Sequence, residues 1–292
     1  MAFEEIRDDL PHLEYQVEAF RAVAWRVTRL RYHPDPRYYD YYFAMRRLYS
    51  GRYLSSPNLG LIYLPTTQFT SLKFVDWDEF SYEYVSPLLL RNDQLKTLHI
   101  AGKYNGTMIA ERDIGDEDRL PPIEELSLQN YDWDHSPPII NSFWNWTILT
   151  SLELIRVPIL HFLYTVPAEH LAQLQVFRTD GFCLDNSDWS QATRSLSDLI
   201  SKIWGLHELR LTCNVGDHCC VLSLFGHGKT LHTLELRSYH DPFATHLSDK
   251  LSQKRVDSAQ LNSIRARCPR LTTLVLDYHP GVSSQFLTSR SF

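Results

Sequence analysis

Cysteine is scarce in this chain. The five present, Cys183, Cys213, Cys219, Cys220 and Cys268, form an odd set without the spacing of a disulfide framework, which suits a reducing compartment. Long hydrophobic runs are also lacking. No segment approaches the ~18 uninterrupted apolar residues of a membrane span, and the opening MAFEEIRDDLPHLEY carries acids where a secretory signal has a basic start and an apolar run. The expected location is therefore cytoplasmic or nuclear, and the sequons at Asn105-Gly-Thr107 and Asn145-Trp-Thr147 read as chance matches. Positive charge is not in excess either: the formal charge of −6 argues against general binding to nucleic acid or anionic membrane, both of which need a basic surface. Catalytic signatures are missing as well, with no G-x-S-x-G, H-E-x-x-H, P-loop or dinucleotide fingerprint. The Gly-His-Gly-Lys at 226–229 is followed by Thr230 but lacks the upstream glycine of a phosphate loop, with Ser223 in its place, and reads as a helix terminus. No enzyme activity and no cofactor are expected.

What the chain does have is a recurring leucine spacing. Leu-x-x-Leu-x-Leu or a near variant stands at Leu95/Leu98/Ile100, Ile123/Leu126/Leu128, Leu149/Leu152/Leu154, Leu171/Leu174/Val176, Leu206/Leu209/Leu211, Leu231/Leu234/Leu236 and Leu271/Leu274/Leu276. Two weaker copies, Val27/Leu30/Tyr32 and Phe69/Leu72/Phe74, precede them. Steps between the middle positions are 42, 26, 28, 26, 22, 35, 25 and 40 residues, and the shorter ones match the leucine-rich period of about 20–29. In a strand, side chains alternate with period two, so Leu126 and Leu128 face one way while Glu125, Ser127 and Gln129 face the other. One such repeat cannot bury its own apolar edge, so copies must stack their strands in parallel. The expected fold is α/β: an irregular leucine-rich-repeat solenoid with a curved parallel β-sheet inside and helices and loops outside.

A solenoid core grows in one dimension, so 292 residues fit a single array as readily as two compact domains. The expected organisation is a helical, aromatic-rich N-terminal cap over 1–60, an array over 61–280 with a first repeat at 25–33, and a loose tail over 281–292. Helical spacing is clearest in Ser190 to Trp204, with Leu196, Ile200 and Ile203 on one side, and in Asp257 to Cys268, with Leu261, Ile264 and Cys268. Weaker helices are expected at Tyr15 to Ala24, Tyr38 to Tyr49, Pro138 to Trp146 and Val221 to Phe225, with a single turn at Val85 to Leu90. The second of these crowds Tyr38, Tyr39, Tyr41, Tyr42 and Phe43 against Arg46 and Arg47, a mixture that can stack on single-stranded RNA. Sealing the open end of an array is the simpler role for it, because a terminal repeat is atypical by necessity.

Two groupings have the residue types of a reactive site. Cys213, His218, Cys219 and Cys220 carry zinc-ligand chemistry, but adjacent cysteines do not easily take two corners of one tetrahedron, and small apolar packing at a turn suits them better. Carboxylates gather in Asp76-Trp77-Asp78-Glu79 and in Asp132-Trp133-Asp134, at equivalent places after two strands. Paired acids serve catalysis when burial splits their pKa values; the expected role here is a polar turn with the Trp filling a gap between repeats.

The strand positions between and beside the inward leucines form the face a partner would meet. The expected protein-binding patch on this concave face is Glu153, Ile155, Gln175, Phe177, Arg210, Thr212, Glu235 and Arg237. In it Ile155 and Phe177 act as an apolar anchor inside a charged rim, the usual anatomy of a recognition surface.

The strands LKTLHI, IEELSL, LTSLEL, LHELRL, LHTLEL and LTTLVL, with the aromatic and Asp-rich turns between them, resemble the repeat region of fungal F-box/LRR proteins over roughly residues 25–280. In that family an N-terminal F-box binds the adaptor of a cullin ubiquitin ligase and the repeats hold the substrate. The resemblance implies a non-catalytic recognition module acting as substrate receptor of an SCF-type ligase, with the ligase adaptor and a substrate protein as partners of a monomer. Leu10-Pro11 is similar to an F-box start, but the Tyr-rich and basic sequence after it does not continue the pattern, so no F-box residue carries over. The alternative is a stand-alone scaffold or inhibitor with no ligase link.

Overall fold

The computed structural model describes residues 4–7, 29–33, 70–77, 86, 89–102, 109, 114–181, 183, 189–214, 221–239 and 258–276. The chain divides into two compact units, Met1–Ile148 and Leu149–Phe292. Each holds an open, all-parallel α/β ladder.

In the first unit β1 (Glu4–Arg7), β2 (Arg29–His33), β3 (Ser71–Trp77), β4 (Thr97–Gly102) and β5 (Glu125–Gln129) pair in chain order, every pair parallel. The register sets Leu30, Leu72, Leu98 and Leu126 in one row and Tyr32, Phe74, Ile100 and Leu128 in the next. From Leu72 onward every member of both rows is buried, as the period-two alternation requires. Strand β1 belongs to none of the repeats read from the sequence; it pairs with β2 through Ile6 and Tyr32. Strand β3 continues through Asp76 and Trp77 after a register shift, so the first Asp-Trp-Asp segment begins as strand rather than as turn. The helices expected at 15–24 and 38–49 and the expected tail lie outside the described residues.

In the second unit β6 (Ser151–Ile155), β7 (Val176–Thr179), β8 (Glu208–Asn214), β9 (Thr233–Tyr239) and β10 (Thr273–Leu276) pair in the same way. The seventh strand corrects the sequence reading. Its inward residues are Phe177, in register with Leu152 and Leu209, and Thr179, in register with Leu154 and Leu211. Leu174 thus takes the first position of the repeat, while Leu171 closes a 3-10 turn, Ala168–Leu171, and accepts the Leu174 N–H at 3.2 Å. Two overlapping patterns compete in LAQLQVFRT, and the leucine-richer one loses because a threonine fills the third inward position. Thr179 is buried, and its Oγ1 accepts the Gly181 N–H at 3.0 Å, which satisfies the hydroxyl inside. The slip of three residues is odd, so it exchanges the two faces of the strand.

One backbone contact recurs at the entry to the described strands. The carbonyl of Thr70 accepts the N–H groups of both Lys96 and Thr97, and the carbonyls of Lys96, Thr150, Gln175, His207 and His232 each accept two successive N–H groups from the next strand's entry in the same way. This shared carbonyl keeps the strands of each unit in register before their side chains meet.

Helices α1 (Pro137–Ser142), α2 (Ile159–Thr165), α3 (Trp189–Lys202), α4 (Val221–Leu224) and α5 (Ser258–Arg267) fall between or beside strands. In α3 Ala192, Leu196, Leu199 and Ile200 are buried at helical spacing, with Ile203 just beyond its end, while Gln191, Arg194, Asp198 and Lys202 are exposed. Asp198 and Lys202 pair at 2.7 Å one turn apart. In α5, among the described side chains, Ile264 turns inward with Cys268 after it, and Leu261 is exposed.

Candidate functional site

The polar face of the second unit is built by the residues that alternate with its buried row. Glu153, Arg178, Arg210 and Glu235 stand in register on β6 to β9, one between each pair of inward positions. Glu208 lies one strand position before Leu209, and Arg237 follows Leu236. The six interlock. Arg178 Nε donates to Glu208 Oε1 at 2.6 Å, and its Nη1 lies 3.7 Å from Glu153. Arg210 Nε sits 2.7 Å from the same Glu208 oxygen and Nη1 3.7 Å from Glu235, which also pairs with Arg237 Nε.

The charges are layered. Glu208 and Glu235 keep only 19 % and 14 % of their side-chain surface, whereas Arg210 and Arg237 keep 46 % and 52 %. Burial pushes the Glu208 carboxyl up, but hydrogen bonds and attraction from Arg178 and Arg210 outweigh it, and the group titrates below its ordinary value. Arg178 is held above its own ordinary value, chiefly by its hydrogen bond to Glu208. Partly exposed ion pairs contribute about 0.2–1 kcal/mol each, so no single pair of this array matches a buried leucine of the rows beneath it, about 1.5–3 kcal/mol.

Of the expected patch, Glu153, Arg210, Glu235 and Arg237 come together in this array, and Ile155 lies half-buried at the end of β6. Gln175 is exposed but sits before β7, where its carbonyl serves the strand-entry contact. Phe177 is not on this face: it is 0 % exposed, in the inward row, for the register reason above. The side chain of Thr212 lies outside the described residues. Arg178 and Glu208 were missed. Arg178 becomes visible once Phe177 is placed inward; Glu208 precedes the motif positions that carry the pattern.

No protein-family model and no curated protein matches this chain. Its site has to be read from its own residues.

The carboxylate pair at Asp132 and Asp134 flanks an aromatic core instead of a cleft. Trp133 is fully buried, its ring centroid 4.9 Å from His135 edge-on, 5.2 Å from Trp144 and 6.2 Å from Trp146, so it fills the interior of the first unit. Asp134 is exposed and Asp132 half-buried. Beside them Tyr131 OH accepts the Ile109 N–H at 2.9 Å and shares a second hydrogen bond with His135 Nε2 at 2.9 Å. Burial holds the Tyr131 phenol far above its ordinary value, which keeps it neutral. These groups are sealed by packing.

Among the described residues no group of three or more His, Cys, Asp or Glu side chains is placed to hold a metal ion. His218, Cys219 and Cys220 lie outside those residues, as do Asp78 and Glu79 and the side chains of Cys213 and Asp76. His207 and His232, on adjacent strand entries, are exposed with rings edge to face at 5.7 Å. Among the described residues no helix is long and apolar enough to cross a membrane.

Proposed function

We propose that this chain is a leucine-rich-repeat solenoid that works as a non-catalytic protein-recognition module in the cytoplasm or nucleus, and that the polar face of residues 149–292 receives its partner. The observation that carries the reading is the array Glu153, Arg178, Glu208, Arg210, Glu235 and Arg237: six charged side chains ordered on one strand face, at a place where each pair contributes little to stability. Ordered arginines on a rigid sheet are the kind of group that anchors protein interfaces, because their planar donor fork is already oriented before the partner arrives.

The resemblance to fungal F-box/LRR proteins supports reading this module as the substrate receptor of an SCF-type ubiquitin ligase. A second reading, a stand-alone scaffold or inhibitor, is favoured by the first sixty residues, which contain no F-box pattern after Leu10-Pro11. Affinity purification of the tagged chain from a fungal extract, with an Arg178→Ala/Arg210→Ala double variant as control, tests both. Adaptor and cullin among the recovered proteins support the receptor. A partner lost in the variant, without ligase subunits, supports the scaffold. Recovery that is identical from both proteins refutes the assignment of this face.

A further inference from the structure

The array on β6 to β9 is electrically balanced, with three glutamates against three arginines, yet its two signs are not equally presented. Each of the better-buried carboxylates is spanned by two guanidinium groups: Glu208 by Arg178 and Arg210, and Glu235 by Arg210 and Arg237. The acids lie beneath, Glu208 and Glu235 keeping 19 % and 14 % of their side-chain surface against 46 % and 52 % for Arg210 and Arg237. The arginines also have donors to spare, since a guanidinium carries five and the ion pairs here run through Nε and Nη1.

An incoming cation would meet the outer layer of arginines before it reached the carboxylates beneath them. An incoming carboxylate only has to complete a guanidinium that is already clamped in place, which spares the rotamer freedom a long side chain otherwise loses on binding. A nucleic acid or other polyanion gains little here, because the array sums to zero and the chain carries −6, so the long-range attraction such a ligand depends on is absent. Short-range, geometry-dependent recognition of single carboxylates remains.

Resting on the recognition reading above, we infer that the partner presents an acidic segment, with Asp or Glu side chains laid across β7 to β9 onto Arg178, Arg210 and Arg237. The partner's apolar contacts fall beside the array, near the half-buried Ile155.

Fluorescence anisotropy with three labelled decapeptides, alternating serine with glutamate, lysine or leucine, tests this on the full chain. The glutamate peptide binds, and an Arg210→Gln/Arg237→Gln variant weakens it about tenfold or more, the worth of one charge-assisted hydrogen bond, with the thermal midpoint recorded for each protein. An Arg210→Lys/Arg237→Lys variant, which keeps the charges over Glu235 and so keeps the fold, loses affinity as well because lysine lacks the planar fork. Preference for the lysine or leucine peptide overturns the acidic assignment, as does glutamate binding indifferent to both variants. Silence with all three peptides overturns it too. A partner captured by affinity purification and lost in the Arg178→Ala/Arg210→Ala variant would still leave the recognition reading standing.

Discussion

The imidazole of His227 and the carbonyl of Ile200 are joined across 2.8 Å, which ties the 3-10 turn Phe225–His227 to the end of helix α3. The Leu206 N–H points to the other ring nitrogen, Nδ1, at 3.4 Å, so His227 is the neutral tautomer that donates through Nε2 and accepts through Nδ1. It is buried between them. The Gly-His-Gly-Lys that looked like a failed phosphate loop is a hydrogen-bonded joint between successive repeats.

That joint makes stability depend on pH. Burial lowers the His227 pKa below its ordinary value of 6.5, and the hydrogen bond to Ile200 only partly offsets this. The unfolded chain takes up a proton first as pH falls, so the contribution of His227 is complete above about pH 6.5 and is lost as pH drops through the lower folded value. Urea denaturation between about pH 8 and pH 5 should show a declining midpoint in the wild type and a flatter curve in His227→Leu. At neutral pH the variant should be weaker by about 1–3 kcal/mol, the usual penalty for leaving a buried backbone group such as the Leu206 N–H without its acceptor.

Phe177 and Arg178 are neighbours in sequence and opposite in role. Phe177→Ala should destabilise the chain by about 3–5 kcal/mol through the cavity it leaves, and Leu152→Ala, in the same row, by about 2–5 kcal/mol. Arg178→Ala should change stability by no more than about 1 kcal/mol, as one partly exposed ion-pair partner. Chemical denaturation of the three variants measures this. Similar losses in Phe177→Ala and Arg178→Ala would show the register of β7 to be wrong.

Gly228 carries a tight approach that no other residue can fill. A Cβ there would collide with the carbonyl oxygen of Arg267 at the end of α5, whose guanidinium carbon lies 4.3 Å from the centroid of the Phe225 ring. Gly228→Ala should therefore displace α5 and lower stability by about 1–3 kcal/mol, the range for overpacking a well-filled site. Thermal unfolding by circular dichroism would record the loss.

Arg156 is a site where the chain can be improved. Its φ of +52° is left-handed, as is the +50° of Asn130, which stands at the equivalent place after the previous strand. Asparagine tolerates that conformation and arginine does so at a penalty. Arg156→Asn, which keeps the backbone N–H that donates to Asp180 at 2.8 Å, should stabilise the protein by about 1 kcal/mol in a urea titration.

Much of the fold was legible because leucine spacing and helix spacing each repeat over many residues. The rows through Leu98, Leu126, Leu152, Leu209 and Leu234, and the buried side of α3, are where the periodicities put them. The misreading at β7 came from a buried threonine, since a hydroxyl satisfied by a neighbouring N–H looks polar in the sequence and behaves as core. One member of the candidate site followed that error: Arg178 stayed hidden until Phe177 was turned inward.

The sequence by itself determined that strands must stack in parallel and which face of most of them is apolar, since both follow from local periodicity and the need to bury it. Only the tertiary structure decided which side chains meet across strands. Arg178 reaches a glutamate on the next strand, His227 finds a carbonyl 27 residues away, and Gly228 lies against the end of a helix that follows much later. Those contacts depend on register and on the close packing of one repeat against the next, neither of which any single segment encodes.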